Sequence, residues 1–312
     1  MGRDLHARAA PIVFGEVLFD HFADGSRVLG GAPFNLAWHL KGFGLEPFVV
    51  TAVGADEPGE EARERMGRWG MRTEGVQRDP LHPTGRVAAK LVGGEPTFEI
   101  GIQQAYDYID PARASAAVGP EGAPLLYHGT LALRGDRSWN ALERVLEATG
   151  APTFVDLNLR APWWTRDRLR WCLTSATWLK LSQEELATVS GADVHDLDDT
   201  DACVRSARGV ATTHDIRTML VTRGAAGSLV IAGERELVCR GGMLGPGEIV
   251  DTVGAGDGFS AVACVGVLEG WSAEEILRRG NAFAADLCRI RGAISEDRAL
   301  YERHRGLWGT GS

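Results

Sequence analysis

The chain is predicted to be an α/β protein, and three observations lead there. Strand-like apolar runs alternate with helix-like segments over most of its length. The 312 residues fit one large α/β domain better than a simple bundle or sandwich. Two stretches break the alternation as hairpins, which predicts a small sheet outside the main one.

Taken in order, "PIVFGEVLFD" (11–20) reads as a buried strand entering a turn. "VLFDHFADGSRVLGG" (17–31) reads as strand, "DG" turn and strand, the first hairpin. "GGAPFNLAWHLKGFG" (30–44) opens on glycines and continues at helical spacing through Leu36, Leu40 and Phe43. "PFVVTAVGAD" (47–56) is β-branched and strand-like, and "EPGEEARERMGRWG" (57–70) is an amphipathic helix. "GRVAAKLVGGEPTFEIG" (85–101) is the second hairpin, turning at "GGEP". Alternation then resumes: strand 124–129, helix 138–150, strand 153–158, helix 166–175, strand 177–182 and helix 183–191. Strands 218–224 and 227–233 follow, then two helices at 257–269 and 273–291. There is no internal repeat or long linker, so the hairpins are insertions into one domain spanning 1–312, at roughly 16–32 and 84–104.

Composition excludes several classes. Apolar content of 44% and charged content of 24% are ordinary for a globular enzyme. A net charge of −9 disfavours nucleic acid as a partner. No apolar run reaches the ~20 residues of a membrane span, and the first fifteen residues lack the apolar core of a signal peptide, so a cytoplasmic protein is expected. Five scattered cysteines without a C-x-x-C pair disfavour disulfide or metal frameworks. The eight histidines show no zinc-ligand spacing. None of the three lysines, Lys41, Lys90 and Lys180, follows a glycine, so the phosphate loop G-x-x-x-x-G-K-[ST] is absent. G-x-G-x-x-G is missing after the first strand, which argues against a dinucleotide-binding dehydrogenase.

The chemistry concentrates in "DTVGAGDGFSA" (251–261). Small residues before a helix start leave backbone N–H groups accessible, and the helix end adds partial positive charge, which together suit a phosphate. Asp257 in the first turn can take a proton from a hydroxyl attacking phosphorus. Alone, a G-A-G-D run is more simply a helix cap. Among the remaining candidates, Asn35 could cap its helix, and Arg160, two beyond Asn158 after a strand, suits an anion or a developing negative charge.

The longer context carries a resemblance. "DTVGAGDGFSA" resembles the second signature of the ribokinase-like, or PfkB-type, carbohydrate kinases. "GGAPFNLAWHLKGFG" with "AVGADEPG" (52–59) is similar to their sugar-binding segment, "VDLNLRAPWW" (155–164) to the D-x-N-x-R segment of fructokinase-like members, and "LVTRGAAGSLV" (220–230) to the nucleotide-side turn. The four occur in the family's order. The resemblance implies a three-layer αβα sandwich with a small β-sheet lid, whose apolar residues, with Phe98 and Ile100 as candidates, shield the reaction from water. It implies ATP-dependent phosphorylation of a sugar hydroxyl, with Asp257 as base, Gly254, Ala255 and Gly256 as the anion hole, and Arg160 in support. Asp20, Gly30, Gly31, Asn35 and Asn158 would bind sugar; Ser182, Thr222, Gly224, Gly227 and Asn281 would line the nucleotide site with Gly254 and Gly256. Ser182 stands where many members carry the Asn of N-x-x-E, and Glu185 would hold magnesium through water. Asp251, Val253 and Gly292 are the contacts implied for a monovalent cation such as potassium, and a homodimer through the lid is expected. Fructose is the favoured acceptor, with 2-keto-3-deoxygluconate, ribose and nucleosides as alternatives. A non-enzymatic sugar or nucleotide sensor would be marked by loss of the base, and Asp257 is present.

Overall fold

The computed structural model describes residues 10–22, 24–92, 95–119, 122–242, 244–245 and 247–309. The main strands are β1 (Ile12–Phe14), β4 (Phe48–Gly54), β5 (Val76–Asp79), β8 (Leu126–His128), β9 (Thr153–Asp156), β10 (Trp178–Ser182), β11 (Thr218–Thr222), β12 (Ser228–Ala232) and β13 (Arg235–Cys239). Among the described residues they form one nine-stranded sheet in the order β13-β12-β11-β10-β9-β8-β1-β4-β5. Pairing is parallel from β5 to β11, and the β11–β12 and β12–β13 pairs are antiparallel.

The helices are α1 (Ala32–Gly42), α2 (Glu57–Trp69), α3 (Pro111–Val118), α4 (Asp136–Thr149), α5 (Arg166–Ser175), α6 (Gln183–Ser190), α7 (Thr200–Thr213), α8 (Ala255–Glu269), α9 (Ala273–Leu287) and α10 (Arg298–Leu307). Strand parity sorts the core into two halves. Phe14, Val155, Met219 and Ile231 pack with apolar residues of α3 to α7. Val13, Phe154, Leu220 and Val230 point the other way and pack with α1, α2, α8, α9 and α10. The result is helix layer, sheet, helix layer, with central strands buried on both faces.

A second, four-stranded sheet has the order β3-β2-β6-β7, from β2 (Leu18–His21), β3 (Arg27–Gly30), β6 (Gly85–Val92) and β7 (Glu95–Ile100). It is assembled from the two hairpins, with β2 parallel to β6 through Leu18↔Gly85. Its base is tied to the main body at Asp56. That carboxylate caps α2 by accepting from the Gly59 N–H (2.9 Å) and also accepts from the Thr84 N–H (2.9 Å), one residue before β6. The cap alone contributes about 1 kcal/mol. The "GGEP" turn at residues 93–94 and the Phe98 side chain lie outside the described residues, and Ile100 is half-buried.

Five elements exceed the sequence expectation: β5, β13, α3, α7 and α10. Helix α8 begins at Ala255 rather than 257, so Asp257 is its third residue. Cys172, Cys203 and Cys264 are buried apolar fillers, while Cys239 and Cys288 are half-buried. Among the described residues, no helix is long and apolar enough to cross a membrane.

Candidate active site

Successive strands lead away from β1 on both sides, through β4 on one flank and β8 on the other, so the chain reverses direction across the sheet between β1 and β8. Open α/β sheets bind ligands outside the carboxyl ends of strands at such a point. Along the carboxyl edge from that point outward lie the Gly15–Glu16 turn after β1, the Asn158–Arg160 loop after β9, Ser182 after β10 and Thr222–Gly227 after β11, with the start of α8 beside Lys180 of β10.

Gly254 is the N-cap of α8 with φ 80°, and it makes no side-chain cap. A β-carbon there would lie 2.5 Å from Ala293 Cα, so the 288–293 segment requires a glycine at this close approach. The Ala255 N–H turns back to the Thr252 carbonyl at 3.3 Å. Gly256 and Asp257 follow as first-turn residues, whose N–H groups have no carbonyl four residues earlier within the helix. The N–H groups of Gly256 and Asp257 are thus the free donors of the first turn beside the Gly254–Ala255–Gly256 run.

The Asp257 carboxylate is not the helix cap. Its Oδ2 accepts from Asn35 Nδ2 at 2.8 Å, across 222 residues of sequence. Asn35 sits on α1, next to the Gly31 N-cap, and a β-carbon on Gly30 would lie 3.4 Å from Asp20 Oδ2 and 3.8 Å from Asn35 Oδ1. Asp20, Gly30, Asn35 and Asp257 thus form one contiguous wall, and Gly31 sits against Glu16. Burial pushes the Asp257 pKa up to about 6; Asn35 opposes this, Asp156 adds to it, and Lys180 and Arg160 oppose it. Burial likewise pushes Asp20 up to about 6, with Arg160 opposing.

The Asn158–Arg160 loop leaves β9 with Asn158 at φ 41°, a left-handed conformation that Asn tolerates. Arg160 is exposed, has a 3.4 Å contact to its neighbour Leu159 O as its one hydrogen bond among the described residues, and lies within electrostatic reach of Glu16, Asp20 and Asp257. Beneath the loop is a buried ion pair. Lys180 Nζ donates to both oxygens of Asp156 at 3.0 and 3.1 Å, and the same carboxylate accepts from Ser260 Oγ (2.7 Å) and Tyr127 OH (3.3 Å). A β-carbon on Gly256 would lie 3.3 Å from Lys180 Nζ, so this cation is directly behind the start of α8. Burial works against the charge on Lys180, but Asp156, Glu185 and Asp257 outweigh it and hold its pKa above the ordinary lysine value.

Among the residues expected from the sequence to line the nucleotide site, Ser182 and Thr222 are register partners at the ends of β10 and β11. Gly224 and Gly227 have φ 51° and 99°, and a β-carbon on Gly227 would strike the Cys239 carbonyl. Asn281 donates to the Cys239 and Arg240 carbonyls at 3.3 and 3.4 Å, which fastens α9 to the end of β13 and occupies its amide group. Ser182 and Glu185 form a capping box on α6. Glu185 accepts from the Ser182 N–H (2.8 Å) and from the Leu159 N–H (2.6 Å), so it braces the Arg160 loop, and each oxygen keeps one lone-pair direction for a further donor. Asp251 accepts from the N–H groups of Val253 and Gly292, both at 3.0 Å, which brings these three residues together. Among the described residues there is no cluster of three or more acidic, histidine or cysteine side chains able to hold a metal.

Sequence reasoning missed two residues. In the sequence Lys180 bears only on the absence of a phosphate loop, and Glu16 lies inside the turn after the first strand without a motif around it. The signal for Glu16 was a carboxylate directly after an apolar strand at the sheet's carboxyl edge.

A basic carboxylate held beside an open helix start is suited to a hydroxyl and an anion side by side, the two halves of phosphoryl transfer to an alcohol. The chain belongs to the pfkB family of carbohydrate kinases, whose family model matches residues 6–299. It is similar to a fructokinase of Klebsiella pneumoniae, 32% identical with 88% of each chain covered. It is 27% identical to a 2-dehydro-3-deoxygluconokinase of Dickeya dadantii, covering 87% of this chain and 91% of the relative. The fold matches the ligand-free structure of a putative ribokinase II from Escherichia coli with TM-score 0.80 at 19% identity, covering 96% of this chain and 99% of that one. A Vibrio cholerae fructokinase solved with fructose, ADP and calcium gives TM-score 0.77 at 21% identity, covering 96% and 99%.

Proposed function

We propose that this carbohydrate kinase transfers the γ-phosphoryl group of ATP to a hydroxyl of a free neutral sugar, with fructose the leading acceptor and fructose 6-phosphate the product. The observation that carries the reading is the 2.8 Å bond between Asn35 and Asp257. It joins the segment that would hold the sugar to the carboxylate that would deprotonate it. Asp20, Gly30, Gly31 and Asn158 complete the sugar side. A base whose pKa lies near 6 is mostly ionised at pH 7 and still basic enough to accept the hydroxyl proton as attack proceeds. The N–H groups at the start of α8, with Arg160 in front and Lys180 behind, stabilise the charge of the moving phosphoryl group.

Ser182, Thr222, Gly224 and Gly227 form the nucleotide side of the proposal; Asn281 takes part by holding the β13 end. Magnesium, travelling with ATP, would neutralise phosphate charge, and Glu185 is the residue here that would hold one of its waters. Asp251, Val253 and Gly292 are the group that would serve potassium. The remaining parts of the proposal are a cytoplasmic setting, where ATP is supplied, and a homodimer through the small sheet, where Val28 of β3 and Phe22, just past β2, are exposed.

The second reading is a 2-keto-3-deoxygluconate kinase, supported by the similarity to 2-dehydro-3-deoxygluconokinases and by the exposed Arg160, which could meet a carboxylate. The experiment is ADP release with magnesium and potassium across fructose, ribose, 2-keto-3-deoxygluconate and adenosine. Preference for fructose supports the proposal; preference for the sugar acid replaces it with the second reading.

A further inference from the structure

We propose that Glu16 is a specificity-determining contact for the acceptor, a second carboxyl at the inner end of the sugar pocket that pairs with hydroxyls and selects a neutral polyol over a sugar acid. This rests on the reading of the site as a sugar kinase pocket and deepens it.

The topology puts Glu16 there. It stands two residues beyond β1, at the carboxyl edge of the sheet where the chain reverses. It is 3% exposed, and its backbone carbonyl and Cγ lie 2.7 and 3.3 Å from where a β-carbon on Gly31 would be. Gly31 holds φ 109°, so the approach of α1 to Glu16 depends on a missing side chain. Backbone N–H groups of Glu16 and Ala32 support the carboxyl, but Oε2 has no hydrogen-bond partner.

A buried carboxyl oxygen without a partner is costly to a folded chain and calls for a donor from a ligand or a water. Glu16 Oε2 does not stand alone. Asn35 Oδ1 is also buried without a partner, and the Tyr106 hydroxyl and the Arg134 guanidinium lie against each other nearby. The Glu16 carboxyl is within electrostatic reach of Arg160 and Asp257, and also of Tyr106 and Arg134. Two acceptors, Glu16 Oε2 and Asn35 Oδ1, are therefore left open, with the paired Tyr106 and Arg134 in the field of the Glu16 carboxyl. A hydroxyl both donates and accepts, so a polyol satisfies such a set.

Charge sets the selectivity. Glu16, Asp20 and Asp257 are carboxyls sharing the neighbourhood of one exposed arginine, Arg160. Arg134 is already paired with Asp107 at 2.7 and 2.8 Å. Burial pushes Glu16 up to about 7, against its own backbone N–H and Arg160, with a smaller contribution from Asp257. A further carboxylate on the acceptor meets repulsion from this set and offers no donor to Oε2.

The test compares wild type, Glu16→Gln and Glu16→Ala on fructose, ribose and 2-keto-3-deoxygluconate, with the KM for ATP and the unliganded Tm measured in parallel. Glu16→Gln should raise the KM for the neutral acceptor about 10-fold or more, the loss expected for a hydrogen bond to an ionisable group. The KM for ATP should stay unchanged, the ratio of kcat/KM for sugar acid over neutral sugar should rise, and the unliganded Tm should hold or increase. If wild type uses ribose and not fructose, the fructose assignment fails while the same shifts measured on ribose uphold Glu16. A wild type that prefers the sugar acid overturns the selectivity. An unchanged neutral-acceptor KM, or a lowered Tm with an unchanged acceptor ratio, assigns Glu16 to packing and overturns the inference. If no acceptor is turned over, the unliganded Tm decides, and a fall in Glu16→Gln is the overturning result.

Discussion

Replacing Lys180 by Met separates what the buried ion pair does for stability from what it does for chemistry. Asp156 is fully buried and Lys180 is 6% exposed, so neither charge can turn to water. Removing the ammonium leaves the Asp156 carboxylate with only the hydroxyls of Ser260 and Tyr127. Stranding one member of a buried pair costs about 3–5 kcal/mol. For a chain of this length, that corresponds to a fall in Tm of roughly 5–10 °C. The double variant Asp156→Asn/Lys180→Met removes both charges and should recover much of the loss, because no ion is left unpaired. Chemically, Lys180 opposes protonation of Asp257 and Asp156 favours it, while Glu16 and Arg160 face the same carboxyl and are untouched. Lys180→Met should therefore move the acid limb of the pH–rate profile upward from about 6, and Asp156→Asn should move it downward. Urea unfolding of the three variants and kcat/KM from pH 5 to 9 provide both readouts. A loss in Lys180→Met below about 1 kcal/mol, or a double variant as unstable as the single, refutes the ion-pair argument. An unmoved acid limb refutes the electrostatic one.

Other predictions follow from the same geometry. Glu16, Asp20 and Asp257 have folded-state pKa values of about 7, 6 and 6, above their ordinary values of 4.5, 3.8 and 3.8. Each of these three binds more protons in the folded state, so each contributes stability that is lost as pH rises from about 4 to 7, while the buried His39 and His128, pushed down to about 4, act oppositely up to about 6.5. The difference in Tm between wild type and Glu16→Gln, shrinking as pH rises through about 7, isolates the Glu16 share. Carboxylates with depressed values, such as Asp79 and Asp286, act oppositely, and their stabilisation is lost as pH falls through their lowered pKa values. Gly254→Ala forces a left-handed residue against Ala293 and should cost about 1–3 kcal/mol together with most of the activity, read by unfolding and ADP release. Glu185→Gln keeps an acceptor for one of the two N–H groups it holds, so turnover should fall more than stability, measured by kcat beside Tm.

The parts of the fold that were legible were those whose local pattern and tertiary role agree. The glycine-opened α1, the β-branched β4 and the two hairpins each carry a strong local signal, and each stands near its expected bounds. β5 and β13 escaped because both are edge strands without apolar alternation: "VQRD" is short, with the polar Gln77 buried beside Val76, and "RELVC" is almost wholly exposed. α7 escaped because its buried stripe is built from Cys203, Val204, Ala207, Val210 and Ala211, small residues that weaken a helical pattern. In the site, the motif residues were legible by type and spacing. Glu16 and Lys180 were not, because their significance lies in neighbours far along the chain: Gly31 and Asp257 for one, Asp156 and Gly256 for the other. Glu185 was legible as a carboxylate at a helix start, but its bond to Leu159 exists only once the β9 loop folds beside α6.

The most direct test of the central claim is acceptor-dependent ADP release by Asp257→Asn against wild type, with acceptor and nucleotide binding followed by the ligand-induced rise in Tm. The amide keeps the shape of the side chain at the Asn35 contact but cannot take a proton. Turnover should fall by about 10²–10⁴-fold, with both ligands still raising the Tm. Wild-type turnover in the variant would contradict the assignment of Asp257 as the base.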